Sequence, residues 1–477
     1  MAQHRAVEPP SAAVGLFVPA RRALTVGLVL TVTLVAFEAL AVVTILPAIK
    51  DDLGGLRLYG WVTSAFFLGT LIGTVVAGAE ADRRGPVPPY VLGILLFVGG
   101  LTIGGLAPSM LVLVLARALQ GIGAGAIPAT AYAAIGRGYP EALRPRLFAV
   151  LSTAWVVPGL IGPAVSALVA THLGWRWVFL GLLPLVLFAA ALALPALRRL
   201  GPPSEPASGE PAGSGGTGLI DAGRVAAGAG LLLSGLTARS PLLAVPLVAA
   251  GLLVGVRPLL RLLPSGTLRP GGGGLPVAIL SRGLLTFAFF GADTYVPLAI
   301  TAVKGRSTAV ASIAVTAATL AWTAGAWVQE RRAARWGSRR LVRTGFATLV
   351  VGIATMAVSL LQSVPVAVSI AGWGVAGLGI GLAYSPTSVT VLGLAPAGRQ
   401  GRASAQLQLS DTLGTALGAG LGGVLIAAGA AAEWPQWVGL AGAFSMAGAV
   451  ALISVGLTRR LPDRKVPALR AAQGPAG

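Results

Sequence analysis

Apolar residues in this chain do not alternate with polar ones. They come in long blocks, each closed by a short polar stretch. A helix needs about 20 predominantly apolar residues to cross a bilayer, and most of these blocks reach that length. Six strong blocks open the chain, at about 24–49, 59–79, 87–107, 110–135, 147–171 and 176–197. The stretch from Arg198 to Gly218 is rich in Pro, Gly, Ser and Glu and reads as a linker. Two weaker blocks follow, 219–237 and 241–263, which carry Asp221, Arg239, Arg257 and Arg261. Six more complete the chain, at about 275–302, 307–329, 342–361, 365–392, 403–429 and 436–458. The pattern predicts fourteen membrane helices, or twelve if the middle pair does not span.

The blocks divide the chain into a tail at 1–23, a six-helix bundle at 24–197 and a linker region at 198–274. That region holds a helical hairpin at 219–263. A second six-helix bundle at 275–458 and a tail at 459–477 follow. The two bundles resemble each other. Gly121, Gly123 and Gly125 recur as Gly377, Gly379 and Gly381; Gly85 and Gly93 recur as Gly337 and Gly345; Arg146 and Gly162 recur as Arg402 and Gly418. The expected fold is therefore all-α and integral to the membrane, with two duplicated six-helix bundles and an extra hairpin between them.

Composition agrees with this pattern. Of the 477 residues, 55% are hydrophobic and only 10% charged, against roughly 25% charged in soluble domains. A net charge of +20 invites a nucleic-acid reading, but the positions of the charges oppose it. With the N-terminus inside, Lys50, Arg57, Arg176, Arg239, Lys304 and Arg306 fall outside and Arg117 within a helix; the remaining Lys and Arg are cytoplasmic. That is the positive-inside bias of a multi-pass protein of the inner membrane, with both termini cytoplasmic. The apolar run from Leu24 to about Ile49, preceded by Arg21 and Arg22, is too long for a cleavable signal core and reads as the first membrane helix.

With no cysteine and two histidines, thiolate, disulfide and histidine-metal chemistry drop out. No nucleophile constellation or nucleotide-binding motif is present, and Arg269–Gly274 lacks the Lys-Ser/Thr of a phosphate loop. An enzyme is not expected, nor a cofactor; an ion gradient is the expected energy source. Trp175-Arg176-Trp177 reads as an interfacial anchor.

Several motifs are more specific. Gly78-Ala79-Glu80-Ala81-Asp82-Arg83-Arg84-Gly85 resembles the signature of the major facilitator superfamily between its second and third helices. Arg117-Ala118-Leu119-Gln120-Gly121-Ile122-Gly123-Ala124-Gly125 is similar to the family's fourth-helix motif. Pro158-Gly159-Leu160-Ile161-Gly162-Pro163-Ala164-Val165-Ser166-Ala167 resembles its fifth-helix antiporter motif, with Ser166 and Ala167 replacing two glycines. The run from Phe37 to Pro47, with Glu38 in the acidic position, resembles the first helix of the 14-helix drug:proton antiporter branch.

The resemblance implies alternating access. It puts a cytoplasmic gate at Gly78, Glu80, Asp82, Arg83 and Gly85, with Asp82 pairing to the opposite half when the outer side is open. It puts a kinked hinge helix at Pro158, Gly159, Gly162 and Pro163, which in the family marks exporters. Departures from the family pattern are Glu80, where an apolar residue is usual, and Pro86-Val87-Pro88, where basic residues are.

Intramembrane charges are costly and functional by default. Glu38 lies about 13 Å from the outer end of its helix and Arg117 roughly 10 Å, at 1.5 Å per residue. Burial favours a neutral carboxyl and a nearby cation favours the charged one, so such a pair can load and lose a proton. Asp293 and Asp411, in the second bundle, are with Glu38 the clearest carboxylates inside predicted spans. The reading that follows is a proton-coupled exporter of hydrophobic or amphipathic compounds, such as a drug, an antibiotic or a lipid. Its partners would be the bilayer, the substrate and protons, with no nucleic acid, and it would act as a monomer. A proton-linked nutrient importer of the same fold and a non-transporting membrane scaffold are the alternatives.

Overall fold

A computed structural model describes residues 18–139, 156–201, 214–267, 273–396 and 399–462, with isolated positions between 143 and 154. The outer parts of both expected tails, residues 202–213 and 268–272 of the linker region and Arg146 lie outside the described residues.

Fourteen apolar helices follow one another: α1 (Pro19–Leu53), α2 (Tyr59–Arg84), α3 (Val87–Gly105), α4 (Met110–Gly138), α5 (Val156–His172), α6 (Arg176–Arg198), α7 (Ser214–Thr237), α8 (Pro241–Leu262), α9 (Leu275–Val303), α10 (Thr308–Ala333), α11 (Arg335–Val358), α12 (Val366–Leu394), α13 (Gln400–Ala431) and α14 (Gln436–Leu457). Thirteen of them are long and apolar enough to cross a membrane; α5 is shorter over its described residues. The middle pair forms two such helices, so the count is that of the fourteen-helix pattern. We call the side where α1 begins the first face and the side where it ends the second face.

Hydropathy located the helices but undersized several. The gate motif does not form a turn: α2 continues through Gly78, Glu80, Asp82 and Arg83 to Arg84, and Gly85 is only its C-cap. Likewise the helical backbone of α10 runs past the expected 329 up to the break at Gly337, and it resumes just after that break in α11, ahead of the expected 342. Helical backbone extends past the hydrocarbon into the polar interface, where charged side chains reach water and hydropathy no longer marks it. Gly85 (φ 87) and Gly337 (φ 71) both stand at positive φ, which glycine adopts without steric cost. Each closes a tight turn in its half of the repeat.

The repeated glycines have a common purpose. A Cβ on Gly121 would sit 2.0 Å from the Phe66 carbonyl oxygen, and one on Gly125 2.2 Å from that of Thr70, both on α2. On Gly123 it would stand 2.5 Å from the Gly93 oxygen on α3. In the second half Gly377 and Gly381 face the carbonyls of Ala318 and Trp322 on α10, at 2.1 and 2.2 Å, and Gly379 faces Gly345 of α11 at 2.7 Å. So α4 lies backbone-to-backbone in the groove of α2 and α3, and α12 does the same with α10 and α11. Close approach of this kind, permitted by small residues, is how membrane helices gain packing without a hydrophobic drive.

Contacts between the halves run along α2 and α13, toward the second face. Tyr59 stacks on Tyr295 with ring centroids 5.8 Å apart, and the Tyr295 hydroxyl donates to the Ala419 carbonyl. Gly60 and Gly423 touch, and Ser64 Oγ donates to the Ala416 carbonyl at 2.8 Å. Tyr59 and Tyr295 are fully buried. The second face is sealed here. The hairpin α7–α8 lies over this seam: Leu68 and Leu71 of α2, Val225, Ala226 and Ala229 of α7, and Leu409 and Leu413 of α13 form one small core.

Candidate functional site

Two buried ion pairs stand inside the protein, one in each half. In the first half α1 supplies Glu38 and α4 supplies Arg117, which are 0% and 2% exposed. Arg117 Nη1 donates to Glu38 Oε1, and also to Gln120 Oε1 at 2.7 Å. Its Nε donates to the Val62 carbonyl at 3.3 Å, and its guanidinium lies 4.1 Å above the Phe66 ring. Buried charge is tolerated when paired and hydrogen-bonded. Here the arginine is held on three sides, while Glu38 Oε2 has no hydrogen-bond partner.

In the second half Asp411 of α13 faces Arg282 of α9, with Nε and Oδ1 3.4 Å apart. Neither of those two atoms makes a hydrogen bond. The carboxylate instead accepts from the Tyr384 hydroxyl at Oδ2, 2.9 Å away. The arginine turns its other nitrogens to the Tyr384 carbonyl, Thr387 Oγ1 at 3.0 Å and Ser388 Oγ at 3.2 Å on α12. Its guanidinium also lies over the Tyr384 ring, 3.2 Å from the centroid.

The sequence reading missed Arg282, counting it among the cytoplasmic basic residues. The signal was available: it lies inside the predicted 275–302 span and is only 4% exposed. Asp293 has no cation beside it. Its Oδ1 accepts from Trp373 Nε1 at 2.8 Å, and Trp373 stacks on Phe289 with centroids 5.2 Å apart. Phe289, Phe290, Trp322, Trp373 and Tyr384 form an aromatic cluster linking Asp293 to the Asp411 pair.

The hinge residues sit between the halves. A Cβ on Gly159 would meet Thr319 Cγ2 of α10 at 2.6 Å, and one on Gly162 would lie 3.6 Å from the Phe37 ring, next to Glu38. Its repeat counterpart Gly418 packs more tightly, a Cβ there standing 2.4 Å from the Phe287 carbonyl oxygen of α9. Pro163 lies within α5 and Pro158 near its described start; Ser166 Oγ donates to the Pro163 carbonyl at 3.0 Å. At the gate, Asp82 is exposed and has no ion pair among the described residues, and Arg83 is exposed too. The ion pair there joins Glu80 to Arg84, at 2.8 Å. The anchor Trp175-Arg176 holds Asp52 at the second face, at 3.0 and 2.7 Å.

A two-fold repeated helical protein with charge pairs buried at its core has an architecture compatible with membrane transport. The Major Facilitator Superfamily model matches residues 28–328, and the chain belongs to that family. It is 31% identical to a probable multidrug-efflux transporter of Mycobacterium tuberculosis, over 91% of this chain and 94% of that protein. It is 32% identical to the multidrug transporter protein MdtP of Bacillus subtilis over 35% of this chain and 31% of that one. Among solved structures, an auto-inhibited POT family peptide transporter superposes with a TM-score of 0.65 at 17% identity, covering 93% of this chain and 99% of that one. The inward-open xylose transporter XylE from E. coli gives 0.61 at 14% identity, over 94% and 99%. Those two establish the shared fold.

Proposed function

We propose that this transporter is a proton-driven exporter of hydrophobic or amphipathic compounds in the cytoplasmic membrane. The observation that carries the reading is Glu38. It is a fully buried carboxylate whose Oε1 is held by Arg117 and whose Oε2 is left unpartnered. An ionised Glu38 binds Arg117. A proton arriving on the open oxygen removes that charge, releases the guanidinium and lets the halves rearrange about the α5 hinge at Pro158, Gly159, Gly162 and Pro163. Each inward proton returns about 2.3 kcal/mol per 100 mV of membrane potential and about 1.4 kcal/mol per pH unit. Export rather than uptake is supported by the antiporter-like motif of α5 and by the similarity to a probable multidrug-efflux transporter of Mycobacterium tuberculosis. Asp411 and Asp293 are the reserve proton carriers, and a single chain is the working unit.

In proteoliposomes with an imposed proton gradient, Glu38→Gln abolishes uphill export while substrate binding persists. Wild-type rates and pH dependence in this variant rule Glu38 out and move the role to Asp293.

The first face is the cytoplasmic one in this reading, with both termini inside. The helices divide into bundles at 24–197 and 275–458 joined by the 198–274 region. A cysteine at Arg239 is then labelled by an impermeant reagent from outside; labelling only from inside inverts or breaks the fourteen-helix topology. With the second face sealed, Asp82 has been released from the gate, in keeping with its exposed state. Asp82→Asn lowers transport severalfold at normal expression, because the outward-open state loses its latch; unchanged transport removes Asp82 from the gate.

A further inference from the structure

At the second face a cavity of about 520 Å³ opens where the hairpin turn meets the end of α13. Its walls are Arg57 from the α1–α2 connection, Leu236 to Arg239 from the hairpin turn, and alanines of α13 between Ala427 and Ala431. Two arginines and no carboxylate line it. The acids nearest in sequence to Arg57 are already engaged, Asp51 with Lys50 and Asp52 with Arg176. Arg57 is fixed in the wall by a bond from Nη2 to the Thr237 carbonyl at 2.7 Å, and its buried Nε has no partner. Arg239 is exposed and makes no ion pair among the described residues.

We infer that this cavity binds the phosphate headgroup of an anionic glycerophospholipid. The chemistry is that of a phosphate site. Arg presents a planar fork of donors that matches phosphate oxygens. Depth and surroundings select a lipid over a soluble anion. The cavity lies at the helix ends on the face that carries exposed Trp177, Trp434 and Trp437, the level of the headgroup region. Beside it, α8 turns Leu242, Leu243, Val245 and Leu253 outward, with Leu242 87% exposed, a surface on which acyl chains lie.

The cavity also spans the seam, with one wall from each half and one from the hairpin. The lipid therefore binds the state in which the second face is closed. It favours that state only through this differential affinity.

The test uses the purified full chain in detergent, titrated with phosphatidylglycerol or phosphatidylcholine, with native mass spectrometry for retained lipid and thermal unfolding for stability. Phosphatidylglycerol is retained preferentially and raises the unfolding midpoint. Arg239→Gln, at an exposed side chain, leaves the midpoint in phosphatidylcholine unchanged and weakens phosphatidylglycerol binding about fivefold; Arg57→Gln has an effect at least as large. Equal retention of the two lipids, or unaltered phosphatidylglycerol binding in both variants, overturns the inference. So does full displacement of the lipid by millimolar inorganic phosphate, which would make this a free-anion site.

Discussion

The two buried ion pairs of this transporter solve one problem differently. Glu38 and Arg117 bond to each other directly, and the arginine's remaining donors go to Gln120 and the Val62 carbonyl. Arg282 and Asp411 face each other at 3.4 Å without a hydrogen bond, each satisfied elsewhere, the acid by Tyr384 and the base by α12. In the first pair each charge depends on the other; in the second, α12 stands between them as a common partner. The difference teaches that a buried carboxylate in this fold can be held by a direct bond from a cation or by a neutral hydroxyl with the cation close by. Only the cation-held one has its charge state tied to a single partner.

The comparison breaks most readily at Arg117. Arg117→Ala leaves Glu38 with an uncompensated buried charge and is expected to cost about 3–5 kcal/mol, read as a fall in thermal stability of the purified protein. Most of that loss is regained in the double variant with Glu38→Gln, because the orphaned charge is gone. Arg282→Ala costs less, about 2–3 kcal/mol, since Asp411 keeps its Tyr384 hydrogen bond. Equal losses at the two arginines would mean that the pairs are equivalent and the distinction is one of geometry alone. The smallest effect is expected at Tyr384→Phe, about 1–2 kcal/mol for one hydrogen bond to a carboxylate. It sharpens the comparison through Arg282→Ala, whose cost rises when Tyr384 is already Phe, because Asp411 then has neither partner. Strict additivity of the two substitutions would show that Tyr384 and Arg282 do not share the load.

Much of the fold was legible in order along the chain. All fourteen helices were marked by apolar blocks, and the repeated glycines marked the duplication; that Gly123 meets Gly93 and Gly379 meets Gly345 came from the structure. The site was half legible. Glu38 and Arg117 stood out because a charge inside an apolar block is conspicuous, and their motifs suggested that they meet. Arg282 was lost because it lies near a helix end on the basic side, where an arginine is expected to reach water. What buries it is α12 and α13, distant in sequence. The extent of α2 was misjudged for a related reason: Glu80, Asp82 and Arg83 look like a turn by polarity, yet their backbone is still helical.

The chain by itself determined the apolar blocks, the duplication and the residues too polar to be idle, and left the count at twelve or fourteen. Those properties are local, since about 20 residues of hydropathy decide whether a segment crosses a bilayer. Only the tertiary structure decided which charge meets which. It also decided that the hairpin covers the α2–α13 seam and that Tyr59 and Tyr295 close the second face. Those outcomes depend on a few contacts between segments hundreds of residues apart, and helices joined by short turns can pack in more than one order. The close approach that glycine permits at Gly60, Gly121 and Gly377 selects among them, and its effect is expressed only when two helices are already side by side.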